Sequence, residues 1–293
     1  MKKLALLAIV ATVLSGCVKN NPDPSWLEVN EWTMESNAIG VNGDEGIITH
    51  NFTDAWVFID NKLIGVFEVP FKIPVLVSGN SEIKLYPTIR NNGISATKKI
   101  YPFADPYIID AELVQNQTLT IDPVTRYKDQ TTITLWNFDD PNNFGVEEAP
   151  GSLASMVVDF DPQVMTSING SGYGHVFMND NTNQWQASTD PQTPLDLPKQ
   201  QAEVYLEIDY YNTVSLITGV IAQQPGSATG NVNVQLNAQQ ESEVEWKKIY
   251  LDLKTIVSGY PNATGYLMSF DALKPDSLSS GYINIDNMKL VHF

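Results

Sequence analysis

The amino-acid sequence predicts an all-β protein built as two β-sandwich domains, and three observations carry that prediction. Apolar residues gather in short runs rich in Val, Ile, Thr, Tyr and Phe, side chains that fit a pleated, half-buried surface. Asn, Gly, Asp and Pro separate these runs, which is the chemistry of turns. No long stretch keeps the 3.6-residue apolar period of an amphipathic helix. The chain has 293 residues, 43% of them hydrophobic, enough to fill two cores at about 100–200 residues per domain.

In chain order the first element is a leader, MKKLALLAIVATVLSGC. Lys2 and Lys3 supply a positive start, Leu4 to Leu14 form an apolar run interrupted only by Thr12, and small residues follow. That order is a secretory signal peptide, too short for a spanning helix of roughly 20 residues. Leu14-Ser15-Gly16-Cys17 resembles the lipobox of bacterial lipoproteins. The resemblance implies cleavage before Cys17, a thioether lipid on its sulfur and acylation of the new terminus. Residues 1–16 are then the signal peptide, and 17–25 a lipidated N-terminus and linker. Each buried methylene contributes about 0.8 kcal/mol, so two or three chains hold a protein at a membrane almost permanently. No Asp follows Cys17, which in such lipoproteins favours the outer membrane. Surface lipoproteins of Bacteroidetes-like bacteria carry an acidic cluster after the cysteine. Val18-Lys19-Asn20-Asn21 lacks it, which leaves the periplasmic and cell-surface faces both open.

The region 26–126 reads as a small β-sandwich. Ala55–Ile59 is a continuous apolar run, which predicts a strand covered on both faces. Asp60-Asn61-Lys62 turns the chain and Leu63–Val66 returns it. Pro70 and Pro74 punctuate the next extended run, Ser78-Gly79-Asn80 makes a turn, and Ile83 and Leu85 share one face of the strand after it. This order resembles a PEGA-type module, although Asn61 stands where the hairpin glycine is usual and the proline after Gly65 comes late. The resemblance implies surface or envelope attachment and no catalytic centre. Asn91-Asn92-Gly93 is another turn, and strands are expected at Ile94–Phe103, Tyr107–Val114 and Thr118–Ile121. The polar stretch Asp122–Asp129 marks the boundary.

The region 127–293 is larger. Strands are expected at Thr131–Phe138, Ala154–Phe160, Val214–Ala222, Asn231–Leu236, Trp246–Leu253, Gly265–Phe270 and Gly281–Val291. Glu203–Tyr211 has the cleanest period of two, with Val204, Leu206, Ile208 and Tyr210 on one face. Asn179–Pro198 and Gln223–Gly230 read as polar loops long enough to bind a ligand. Gly170–Gly174 is a glycine-rich turn without the Lys-Ser/Thr of a phosphate loop. The Trp246–Leu253 strand, a variable loop and the "-IDN-" strand Gly281–Leu290 resemble the close of carbohydrate-binding-module-like jelly rolls. These are akin in shape to galactose-binding-like sandwiches, and Phe138-Asp139 matches their opening aromatic–acid pair. The resemblance implies a jelly roll for 127–293, and such folds serve many tasks.

That resemblance also implies a structural Ca²⁺ shared by Asp139 and Asp286, with Asp140 as a helper. Calcium takes about 6–8 oxygens and tolerates irregular loops; the alternative is an acidic turn whose carboxylates bond nearby amides. For a glycan, the candidate ligand-binding residues are Trp185, with Asn183 and Gln186 beside it in its polar loop, and Tyr211. Pyranose C–H faces stack on aromatic rings, and the amides supply hydrogen bonds. A cap on its own sandwich is the other reading of Trp185. Trp56, Trp136 and Trp246 lie in expected strands and read as packing residues.

No catalytic residue is assigned. His50, His175 and His292 are far apart without metal-ligand spacing, no GxSxG elbow is present, and acylation of Cys17 leaves no thiol for a nucleophile or disulfide. The formal charge of −17 repels polyanions, so nucleic acid is not a partner. The sequence thus points to a membrane-anchored, non-catalytic envelope lipoprotein that needs no cofactor and binds a glycan through its C-terminal jelly roll. The alternative is an accessory or scaffold subunit of an outer-membrane protein complex, and a polysaccharide-active enzyme ranks third.

Overall fold

The computed structural model describes residues 23–160, 168 and 172–293. Cys17 and the leader lie outside the described residues. Among those described, β-strands make nearly all of the regular structure, with one short α-helix at Lys254–Gly259 and single 3-10 turns at Asn91–Gly93 and Glu241–Glu243.

In the first region two sheets enclose Leu27, Val29, Ala55, Val57, Ile59, Ile83 and Leu85. One sheet places Ser25–Val29 between a parallel Thr118–Ile121 and an antiparallel Phe71–Val75. The other is built on Gly79–Arg90, which pairs with Asp54–Ile59 on one side and with Lys98–Ile100 and Tyr107–Leu113 on the other. The hairpin turn at Asp60 and Asn61 has φ of 49° and 62°, the left-handed pair that a tight two-residue turn demands and that Asn and Asp tolerate. Two expectations are corrected. Asp54–Ile59 is not covered on both faces, since Trp56 and Phe58 are only half-buried between the buried Ala55, Val57 and Ile59. Gly79 and Asn80 begin a long strand instead of lying in a turn.

The second region is a jelly-roll sandwich. Its larger sheet runs Met156–Asp159, Tyr173–Asn179, Ser280–His292, Val204–Asn212, Lys247–Asp252 from one edge to the other. Ser280–His292 is long enough to pair on one side with Tyr173–Asn179 and then with Thr132–Trp136. The facing sheet runs Val146–Glu148, Gln184–Thr189, Gly265–Leu273, Leu216–Gln224, Ser227–Leu236. Val176, Leu206, Ile208, Val220, Met268, Phe270, Ile283 and Ile285 fill the space between. Both expected binding loops are corrected. Gln184–Thr189 is a strand burying Trp185, Ala187 and Thr189. Gln223–Gly230 is mostly strand, closed by a tight turn with Gln224 opposite Ser227 and Gly226 at φ 78°.

The two regions share structure across the expected boundary. Asn42–Gly43 of the first adds to the larger sheet of the second beside Thr132–Trp136. Ile133, Tyr205, Tyr250 and Val291 of the second are buried in the core of the first. The outer edge of Lys247–Asp252 is sealed by the first region: Asn51 Nδ2 donates to the Lys248 carbonyl at 3.0 Å, and Asn92 Oδ1 accepts from the Asp252 N–H at 2.7 Å. An open edge would be a template for pairing with another chain, and these amides close it.

Candidate functional site: the aromatic outer face of the larger sheet

Strand alternation gives each residue of the larger sheet one of two faces. With Val176, Ile283, Ile285, Leu206 and Ile208 inside, their neighbours point away from the sandwich. Register then aligns them across the strands. His175 lies opposite Asn284, and Asn284 opposite Tyr211. Phe177 lies opposite Tyr282, and Val157 opposite His175.

The result is a continuous aromatic strip. Tyr211 and Tyr282 stack with centroids 5.6 Å apart and planes 16° apart, and the Tyr282 hydroxyl donates toward that of Tyr211 at 3.4 Å. His175 is 6.5 Å from Tyr282 at 32°, and its Nδ1 is 2.6 Å from Asn284 Oδ1. Trp246, just before the edge strand Lys247–Asp252, reaches over the sheet to lie 6.1 Å from both Tyr211 and Tyr173. Tyr173 is buried, whereas His175, Tyr211, Trp246 and Tyr282 are half-buried, each keeping part of its ring in solvent. Phe177 (49% exposed) and Val157 (53%) extend the apolar surface to the far edge. Burial and the Tyr211 contact push the Tyr282 hydroxyl up, so it stays a neutral donor at physiological pH.

Toward the first region the same face becomes polar and dry. Glu207 accepts hydrogen bonds from Tyr101 and, at 3.0 Å, from Tyr127, and pairs with Lys248 Nζ at 2.8 Å. Asp209 accepts from Thr49 Oγ1 at 2.6 Å and from Asn287 Nδ2 at 2.7 Å. Burial opposes the charge on Glu207, but Lys248 and Lys289 outweigh it and hold the carboxyl below its usual range. Burial likewise opposes the charge on Lys248, and Asp209 and Glu207 overcome it. Lys289 Nζ donates to the Ile47 carbonyl at 2.7 Å and is lowered to about 8 by burial and Lys248. Asp286 is raised to about 7, mainly by burial and secondarily by Asp209 and Asp139. Among the described residues its buried Oδ2 has no hydrogen-bond partner.

The residues expected to bind a glycan do not all converge. Tyr211 lies in the strip. Trp185 does not: it is 0% exposed and stacks on Phe270 at 5.9 Å inside the sandwich, because the strand it sits on turns its odd positions inward. Asn183, half-buried, offers its carbonyl to the Lys274 N–H at 2.8 Å. Gln186 Nε2 donates to Asp271 Oδ2 at 2.6 Å on the outside of the facing sheet, away from Tyr211. Trp246, expected to be a packing residue, is instead part of the strip. Tyr282, His175 and Phe177 were not foreseen. The signal for His175 and Phe177 was an aromatic at every second position in Tyr173–Phe177, hidden behind a glycine-rich segment.

Among the carboxylates expected to hold calcium, Asp140 is exposed and accepts from the Asn142 N–H at 2.9 Å in a local turn. Asp139 is exposed and bonded by Asn137 Nδ2 at 2.5 Å, and Asp286 is buried. Among the described residues, no three His, Cys, Asp or Glu side chains gather as a ligand set. Asp139 lies close enough to Asp286 to raise its carboxyl, but without a third ligand gathered among the described residues the pair supplies too few oxygens for calcium.

No family model and no curated protein matches the chain. Among solved structures, it is similar to the CBM22-2 xylan-binding domain of Paenibacillus barcinonensis Xyn10C. Identity there is 10%, covering 55% of this chain and 99% of that one, with a TM-score of 0.39. A CBM28 module described as specific for non-crystalline cellulose gives 14% identity over 53% of this chain and 90% of that one, with a TM-score of 0.37. The CBM22-1–GH10 modules of Clostridium thermocellum Xyn10B, complexed with xylohexaose, give 13% identity and a TM-score of 0.37. That match covers 54% of this chain and only 27% of that one.

Proposed function

We propose that this protein is a non-catalytic envelope lipoprotein, held at the outer membrane through Cys17, that binds a glycan chain along the Trp246–Tyr211–Tyr282–His175 strip. The observation that carries the reading is the stacked, half-buried pair Tyr211–Tyr282 on the outer face of a sheet whose inner face already fills a core. Rings of this size contribute through burial, so leaving four of them partly wet is costly unless something covers them. Sugar rings suit such a surface, with apolar C–H faces for the aromatics and hydroxyls for the half-buried Tyr282 hydroxyl. The lipobox-like Leu14-Ser15-Gly16-Cys17 supports the anchor.

The test is binding of the lipid-free chain to a panel of cell-wall and capsular oligosaccharides, followed by calorimetry on those retained. Tyr282→Ala and Tyr211→Ala should each weaken binding about tenfold or more, since a central aromatic in an interface is worth roughly 2 kcal/mol. A Tyr282→Ala protein that melts normally and binds as tightly as the parent would sink the reading.

A further inference from the structure

The strip ends at Trp246, and beyond it a cavity of about 570 Å³ opens between the two regions. That volume lies within the roughly 300–1,000 Å³ of small-molecule sites. His50, Asn51 and Arg90 of the first region form one side, and Tyr210, Trp246 and Lys247 of the second form the other. Arg90 Nη2 bonds Glu68 at 3.3 Å, but among the described residues Arg90 Nε is a buried donor with no hydrogen-bond partner. A buried N–H left without an acceptor destabilises a structure, and it donates to an oxygen that comes within reach. Lys247 is 44% exposed, with only Glu245 near, 3.9 Å away at the outer limit of an ion pair. Lys248 is already committed to Glu207 and Asp209. His50 is held neutral by burial and by Lys248, with Glu31 acting the other way. Glu245 is the one carboxylate in the lining. In a chain of net charge −17, this cavity therefore offers two donors of positive charge to a ligand. The long-range field of such a chain repels densely charged polymers, so an isolated carboxylate suits it better than a polyanion.

We propose that the cavity takes the carboxylate of a uronic-acid residue carried by the glycan on the strip, with its oxygens on the Arg90 guanidinium and Lys247 Nζ. The inference rests on the glycan-binding reading and narrows it to chains with sparse acidic sugars. Hydrogen bonds from a cation to a carboxylate are about twice as strong as neutral ones, and they supply selectivity that a stacking platform lacks.

The test follows the Arg90 Nε–H resonance of the lipid-free chain, assigned with Arg90→Lys, during titration with D-glucuronate and separately with D-glucose. A saturable shift with glucuronate and none with glucose is expected. Lys247→Gln should weaken it about fivefold, as loss of one partly exposed charge contact allows. Tyr282→Ala should leave it intact, because the monosaccharide does not need the strip. No movement with glucuronate, equal movement with glucose, or an unchanged affinity in Lys247→Gln would each overturn the proposal. If Arg90 stays still while Tyr282-dependent binding of a longer glycan persists, the cavity is refuted and the strip stands. A glucuronate shift without any Tyr282-dependent binding refutes the strip instead.

Discussion

Asp286 shows how a single side chain can couple stability to pH. It sits on the outer face of the larger sheet, its Oδ1 accepting from the Asn287 N–H at 2.7 Å, with Asp209, Asp139 and the Ile168 backbone as its other electrostatic neighbours. Its carboxyl titrates at about 7 in the fold and at about 3.9 when unfolded. A raised carboxyl contributes its full stability below the unfolded value, and that contribution is lost as pH rises through the folded one. Stability should therefore fall between about pH 4 and pH 7, by a few kcal/mol at most. Lys289, lowered to about 8, acts only at higher pH: its contribution is present above about 10.4 and lost as pH falls through 8. Asp286→Asn should flatten the loss between pH 4 and 7 and raise the urea midpoint at pH 7.5. A variant that keeps the parent slope would show that another group titrates there. None of this was legible in the sequence, where Asp286 read as an oxygen ligand. Its burial depends on strands that join it to Asp209, far away along the chain.

Strands were legible where their chemistry alternates by itself. Glu203–Tyr211 declared its inner face through Val204, Leu206 and Ile208, and the Asp60-Asn61 turn declared the first hairpin. Gln184–Thr189 did not, because Gln184, Gln186 and Ser188 make its outer face as polar as a loop. Only the neighbouring Gly265–Leu273 strand makes its ladder worthwhile. The aromatic strip was illegible for a related reason. His175, Tyr211, Trp246 and Tyr282 come from four separate segments, and only pairing register brings them together. The facing sheet contains an element-level constraint of its own at Gly219. The Leu216–Gln224 and Ser227–Leu236 strands shift register between Thr218 and Gly219. A Cβ at Gly219 would lie 2.6 Å from the Asn231 carbonyl oxygen and 2.7 Å from Ser269 Oγ. A backbone oxygen cannot rotate away as a side chain can, so the strands themselves must move. Gly219→Ala should lower the unfolding free energy by about 1–3 kcal/mol, read from urea denaturation. An unchanged midpoint would mean that the hairpin relaxes freely there.

At the scale of the whole molecule, the two regions are joined by burial too extensive for independent bodies. Tyr205, Tyr250 and Val291 extend the first region's core, and Tyr101 bonds Glu207. Lys289 and Asn287 both reach back to the Ile47 carbonyl. Taking the first region away would leave Lys248 without Thr49, Glu207 without the Tyr101 hydroxyl, and an apolar face open to water. Breaking a buried charge network in this way costs about 3–5 kcal/mol, a large share of the 5–15 kcal/mol that holds a typical domain together. The described chain should therefore melt in one calorimetric transition, with van't Hoff and calorimetric enthalpies equal. The fragment 127–293 should melt well below the parent or fail to fold. Two separated transitions, or a fragment as stable as the whole, would show that the regions merely touch. A cavity between Arg90 and Lys247 would then have no fixed shape. One shared transition means instead that the first region sets the far wall of the cavity as firmly as the jelly roll sets its floor.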